Sequence, residues 1–94
     1  MSEVTSGYLL VCLTEECGEI SKAAAKALRF GIARGTPDYG RNDQVLALEI
    51  GDLLGIVDEL LKRGILDPKI IEHSRHQKIA KITRLRSVGK AEEL

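Results

Sequence analysis

The sequence predicts an all-α fold, an antiparallel bundle of three main helices that oligomerisation is expected to complete. Three observations carry this. The apolar content is Leu, Ile, Val and Ala, with Tyr8, Phe30 and Tyr39 the only aromatics, which suits packed helices better than a small β-sandwich. Those apolar residues recur at steps of three and four, the spacing of one helix face. No strand-like alternation persists for a useful length. The chain, 94 residues with 30% charged and 44% hydrophobic side chains, reads as one globular domain over 1–94. A domain this short buries only about 60–65% of the surface its unfolded form exposes, so a homodimer or a dimer of dimers is expected.

The first helix is expected over about residues 4–29, with Ser2, Thr5 and Ser6 as alternative caps. Its apolar stripe is Leu9, Leu13, Ile20, Ala23 and Ala27, and Gly31 closes it. The Gly-, Pro- and Asp-rich stretch "GIARGTPDYGRND" reads as a loop, and long loops in compact domains are often functional. Asn42 or Asp43 is expected to cap the second helix, over about 43–63, whose stripe is Leu46, Leu53, Val57 and Leu60 and whose stop is Gly64. "LDP" makes Asp67 the cap of the third helix, about 68–86, with Pro68 in its first turn. The segment after 88 reads as a frayed tail.

Net charge is zero but unevenly spread. Residues 69–90 carry seven basic side chains and one acid, while residues 1–67 carry seven basic and eleven acidic ones. An acidic body with a basic third helix suits metal ions and phosphates, although such a charge run is usually a solvated face. Cys12 and Cys17 fall on different faces of one helix, which argues against a disulfide. With no signal-like start and no long apolar run, a cytoplasmic protein away from membranes is expected.

Glu16 occupies the stripe itself, three residues after Leu13 and four before Ile20. Glu15 and Glu19 lie beside it, the three spanning a wedge of about 100°. The second helix repeats the pattern: Val45, Glu49, Asp52 and Ile56 follow steps of four, three and four. Both sites read acid, any residue, glycine, acid, as "ECGE" and "EIGD". An unpaired carboxylate in a dry core costs several kcal/mol, and a group of them would exceed the roughly 5–15 kcal/mol that holds a domain together. Water, basic partners or cations must offset that cost, and hard divalent cations such as Mg²⁺ suit a carboxylate cluster. Gly18 and Gly51 each cost a helix about 1 kcal/mol relative to Ala; they are expected to leave room for a close helix or ligand.

The order EExxE, here Glu15, Glu16 and Glu19, then ExxD, here Glu49 and Asp52, resembles the MazG-like all-α nucleoside triphosphate pyrophosphohydrolases. "SKAAAKALRFG" and "ALEIGDLLGIVDELLKRGI" look like the short, phage-type members. The resemblance covers residues 8–66 well and the third helix loosely. It implies Mg²⁺-dependent cleavage of an NTP or dNTP between the α- and β-phosphates, with Mn²⁺ as a substitute ion. It implies Glu16, Glu19, Glu49 and Asp52 as metal ligands and Glu15 as a supporting acid or an orienter of water. Lys26 and Arg29 lie in the family-like "KALRFG" run as phosphate-binding candidates, with Lys22 before them. Lys78 and Lys81 of the third helix are further phosphate candidates. Tyr8, Phe30, Tyr39 and Asn42 are candidates for the base and sugar pocket.

Competing readings differ in class. A ferritin-like di-iron bundle needs Glu-x-x-His pairs, and His73 and His76 do not supply them. A phosphoribosyl-ATP pyrophosphohydrolase-like enzyme would share the chemistry with another substrate. A non-catalytic oligomeric module would lay its basic third helix, with Lys78, Lys81, Arg84 and Arg86, on nucleic acid, but would leave the paired acids unexplained, so nucleic acid is not the expected partner.

Overall fold

The computed structural model describes residues 3–38 and 40–87. The all-α expectation holds: α1 runs Ser6–Phe30, α2 Asn42–Lys62 and α3 Pro68–Ser87, within two residues of the expected bounds. Between α1 and α2 lies a small antiparallel ribbon, β1 (Gly35–Thr36) and β2 (Gly40–Arg41), with Gly35 opposite Arg41 and Thr36 opposite Gly40. The stretch expected to be plain loop is therefore hydrogen-bonded structure. Ser2, Tyr39 and the tail after 88 lie outside the described residues.

Local chemistry sets the helix ends. Thr5 Oγ1 accepts from the Tyr8 amide at 3.0 Å, which selects it as the cap of α1. Asn42 and Asp43 are not caps of α2, contrary to expectation. Arg41 takes that position, its amide donating to Gln44 Oε1 at 3.1 Å. The first amides of α2 donate instead to loop carbonyls, Asn42 to Arg34 and Asp43 to Ile32, so these orphan donors of the helix start are satisfied by the segment that leads into β1. At the other end, Gly64 has φ +73° and its amide donates to Leu61 O, while that of Ile65 donates to Leu60 O. This is a Schellman termination, which favours glycine. Asp67 caps α3 as expected, accepting from the Lys69 amide at 2.9 Å.

α1 and α2 pack as an antiparallel hairpin. Asn42 Nδ2 donates to Gly31 O at one end, and Arg63 Nη1 to Ser6 Oγ at the other. The seam is the one the periodicity marks: Leu9, Ala23, Ala27 and Leu60 are buried, and Leu13, Ile20, Leu46, Leu53 and Val57 half-buried.

The third helix does not complete a bundle within one chain. α3 makes no extensive packing on α1 or α2, and Ile70, Ile79, Ile82 and Leu85 are all exposed. The molecule is a plate of 50 × 37 × 14 Å, its thinnest dimension little more than one helix diameter. Its radius of gyration is 16.4 Å, against about 12 Å for a compact domain of this length. Its accessible surface is 7875 Å², where a folded monomer of this mass exposes roughly 5,400 Å².

Candidate functional site

Glu16 sits between Leu13 and Ile20 on the seam of α1, so its side chain is directed at α2. Across the seam, Glu49 and Asp52 occupy the matching stripe of α2. Carboxylate oxygens of Glu16, Glu49 and Asp52 all lie within 4.8 Å of one another. Glu16 and Glu49 are half-buried and Asp52 is exposed. Glu16 Oε1 is shut off from solvent and has no hydrogen-bond partner.

That orphaned oxygen is the main electrostatic feature of the fold. Burial, then the charges of Glu49, Asp52 and Glu19, push the Glu16 carboxyl above its ordinary range. Other acids are treated differently. Arg41 holds the Asp43 carboxyl low, Arg63 that of Glu59, and Arg75 with His76 that of Glu72, through ion pairs of 2.7–2.9 Å. Among the described residues, none of the three clustered acids has a basic partner. Opposed oxygens around Mg²⁺ stand about 4 Å apart, a spacing of the same order as that of these three carboxylates. An all-oxygen, anionic donor set with a dry, unpartnered oxygen fits a hard divalent cation.

Beside the cluster lies an open groove of about 710 Å³ between the second half of α1, the start of α2 and the ribbon. Glu19 and Glu49 line its acidic end. Lys22, Lys26, Phe30, Arg34 and Asn42 also line it.

The structure thus gathers Glu16, Glu49 and Asp52, whereas Glu19, the fourth expected ligand, lies outside that cluster and lines the groove instead. Glu15 is exposed and outside the cluster. Lys26 and Asn42 reach the groove, but Arg29 does not; its guanidinium lies over the Phe30 ring, 5.2 Å from the centroid. Lys78 and Lys81 are exposed on α3 and do not line the groove. Tyr8 is also outside it. A Cβ on Gly18 or Gly51 would touch nothing within 4 Å, so neither glycine serves a close approach within the chain. Arg34 and Thr36 were not singled out by the sequence. Their signal was the Pro37–Asp38 turn between glycines, which pairs β1 with β2 and sets β2 against the start of α2.

No protein-family model, no curated protein and no solved structure matches the chain. Both cysteines are free thiols, and no helix among the described residues is long and apolar enough to cross a membrane.

Proposed function

We propose that the protein is a Mg²⁺-dependent nucleotide pyrophosphohydrolase that cleaves an NTP or dNTP between the α- and β-phosphates, releasing a monophosphate and pyrophosphate. The observation that carries this is the unpartnered, buried Glu16 Oε1 facing Glu49 and Asp52. An anionic cluster of this kind on a helix seam is destabilising alone and is relieved by a cation. Held by Glu16, Glu49 and Asp52, with Glu19 at the edge, a divalent ion would neutralise triphosphate charge and polarise the bond under attack. Phosphoryl transfer asks little else of a protein than positioning and charge stabilisation. Lys22 and Lys26 stand next along the groove to hold phosphate oxygens.

In this reading Glu15 does not touch the reacting atoms from its place in solvent, and Arg29 acts through Phe30 rather than on phosphate. Lys78 and Lys81 join the site only from a second copy, which the uncovered faces of the plate favour. A homodimer or dimer of dimers in the cytoplasm is the working assembly.

The test is a panel of nucleotides incubated with purified protein and Mg²⁺ or Mn²⁺, with products separated by chromatography and Glu49→Gln run beside it. Monophosphate and pyrophosphate, lost in the variant, are expected. A second reading draws on the exposure of Lys78 and Lys81, a helical module that binds nucleic acid. Salt-dependent DNA binding without metal-dependent turnover would favour it instead.

A further inference from the structure

We infer that the side of the α1–α2 hairpin turned away from the groove is where a second copy of this chain docks, back to back, with the two grooves facing outward. The inference narrows the working assembly to one face and does not depend on the hydrolase reading.

Charge is segregated around α1. Its groove flank is marked by Glu19, Lys26 and Phe30. At 100° per residue, all its charged side chains (Glu15, Glu16, Glu19, Lys22, Lys26 and Arg29) fall in the half-turn on that side of the seam. The opposite flank holds Leu10, Cys17, Ser21, Ala24 and Leu28, within a wedge of about 60°. α2 repeats the division. Val45 and Glu49 line the groove, and the flank beyond the seam carries Leu46, Ile50, Leu54, Val57 and Leu61 at steps of four, four, three and four. Asp43, in the first turn, is the one charged side chain in that wedge, and Arg41 pairs with it at 2.9 Å. Leu10, Leu28, Ile50 and Leu54 are exposed, as is Cys17.

A face without charge selects its partner. It gives nucleic acid no cation to contact. Helices that lie on lipid carry Lys and Arg opposite their apolar side, whereas here the opposite side holds the acid cluster. An apolar surface of the same shape meets this face without leaving a charge unpaired, and a two-fold axis supplies one from the chain itself. The size fits as well. Two helices side by side over the 21 residues of α2 present roughly 30 × 20 Å, close in scale to the about 800 Å² that each partner gives to a standard interface. The plate is 14 Å thick, a single layer of helices, and a second plate on its back makes the two layers of a four-helix bundle. A copy docked here leaves the groove and acids in solvent, so a route for Lys78 and Lys81 to them needs a further copy on the opposite face.

The test is sedimentation of the full chain over a range of concentrations, with alkylation of its two cysteines read by mass spectrometry. Cys17 lies on the inferred interface and Cys12 on the groove flank, so one molecule carries both probe and control. As pairs form, wild type is expected to lose Cys17 alkylation and keep that of Cys12. Leu28→Asp and Leu54→Asp, at positions 67% and 54% exposed in the single chain, each place a carboxylate on both sides of the contact. Each should raise the dissociation constant of the pair about 100-fold or more and restore Cys17 alkylation. Leu48→Asp, 68% exposed on the groove flank of α2, should leave the pair intact. Pairs in which Cys17 reacts as fast as in Leu54→Asp overturn the inference and put the contact elsewhere. Single chains of 10.3 kDa at every concentration overturn both the inference and the working assembly. Single chains that bind phosphatidylcholine vesicles, and cease to do so as Leu28→Asp or Leu54→Asp, overturn it with lipid as the occupant.

Discussion

Glu16 of α1 and Glu49 of α2 face each other across the hairpin seam, both half-buried, with oxygens inside the 4.8 Å cluster that Asp52 completes. Like charges so placed repel, and no lysine or arginine among the described residues pairs with them. A cation held there, as proposed, would depend on both. Outer-shell substitutions at metal sites already cost 10–100-fold in metal affinity or activity, so Glu49→Gln or Glu16→Gln should lower Mg²⁺ affinity and metal-dependent turnover by about 100-fold or more. Titration of Mn²⁺ by its paramagnetic signal reads the affinity without any substrate. Unchanged Mn²⁺ affinity in both variants would remove the metal site.

The same repulsion gives stability a pH dependence of definite sign. The Glu16 carboxyl is held above its ordinary value of 4.5, so in that window the folded chain keeps a proton the unfolded chain has released. Stability then falls as pH rises through the window. Asp43 and Glu59 behave oppositely: their carboxyls are held low by Arg41 and Arg63, and their contribution is lost as pH drops below the ordinary carboxylate range. Metal-free protein should lose melting temperature toward acid through Asp43 and Glu59 and toward neutral pH through Glu16. Mg²⁺ should raise the melting temperature at pH 7 more than at pH 4.5, through preferential binding to the folded state. Glu16→Gln should flatten the upper limb and abolish most of the Mg²⁺ effect. A melting temperature that climbs steadily from pH 4.5 to 7 without metal would contradict this account.

Much of this was legible in the residue pattern, because a helix reports its faces locally. Glu15 and Glu16 are neighbours in sequence but about 100° apart around the axis. That is why the three–four count singles out Glu16 as the seam residue and leaves Glu15 in solvent. Asp67–Pro68 and Gly64 mark their helix ends through chemistry confined to a few residues. The ribbon was not legible, since strands of two residues, Gly35–Thr36 and Gly40–Arg41, show no alternation. Arg41 as the start of α2 was hidden too, because the donors there are satisfied by Arg34 and Ile32 carbonyls that only the folded loop brings near. Periodicity marks Ile71, Ile82 and Leu85 as one face of α3, but it does not say what covers that face.

A second copy is the simplest cover. The chain exposes 7875 Å², some 2,500 Å² beyond the expectation for its mass, while a standard interface takes about 800 Å² from each partner. Sedimentation at micromolar concentration should give a mass at least twice the 10.3 kDa of one chain. Ile82→Asp, at a position 51% exposed, should change monomer stability by no more than about 0.5 kcal/mol but should shift the assembly toward single chains. A mass of 10.3 kDa for wild type would leave Lys78 and Lys81 without a route to the acids.

The ribbon offers a test of how the groove keeps its shape. A Cβ on Gly35 would fall on the Gly40 carbonyl and close to Arg41 Cα. Those are backbone atoms, which have no rotamer by which to yield, so Gly35→Ala must open the β1–β2 pairing. Overpacking of this kind costs roughly 1–3 kcal/mol. The strain falls where Gly35, Thr36 and Gly40 wall the groove and where Arg34 O holds the first amide of α2. The cluster of Glu16, Glu49 and Asp52 lies further along the seam and keeps its supports. Gly35→Ala should therefore lower the urea midpoint and raise KM for nucleotide while leaving Mn²⁺ affinity close to that of wild type. Loss of Mn²⁺ affinity in proportion to KM would mean that the ribbon and the acids move as one unit.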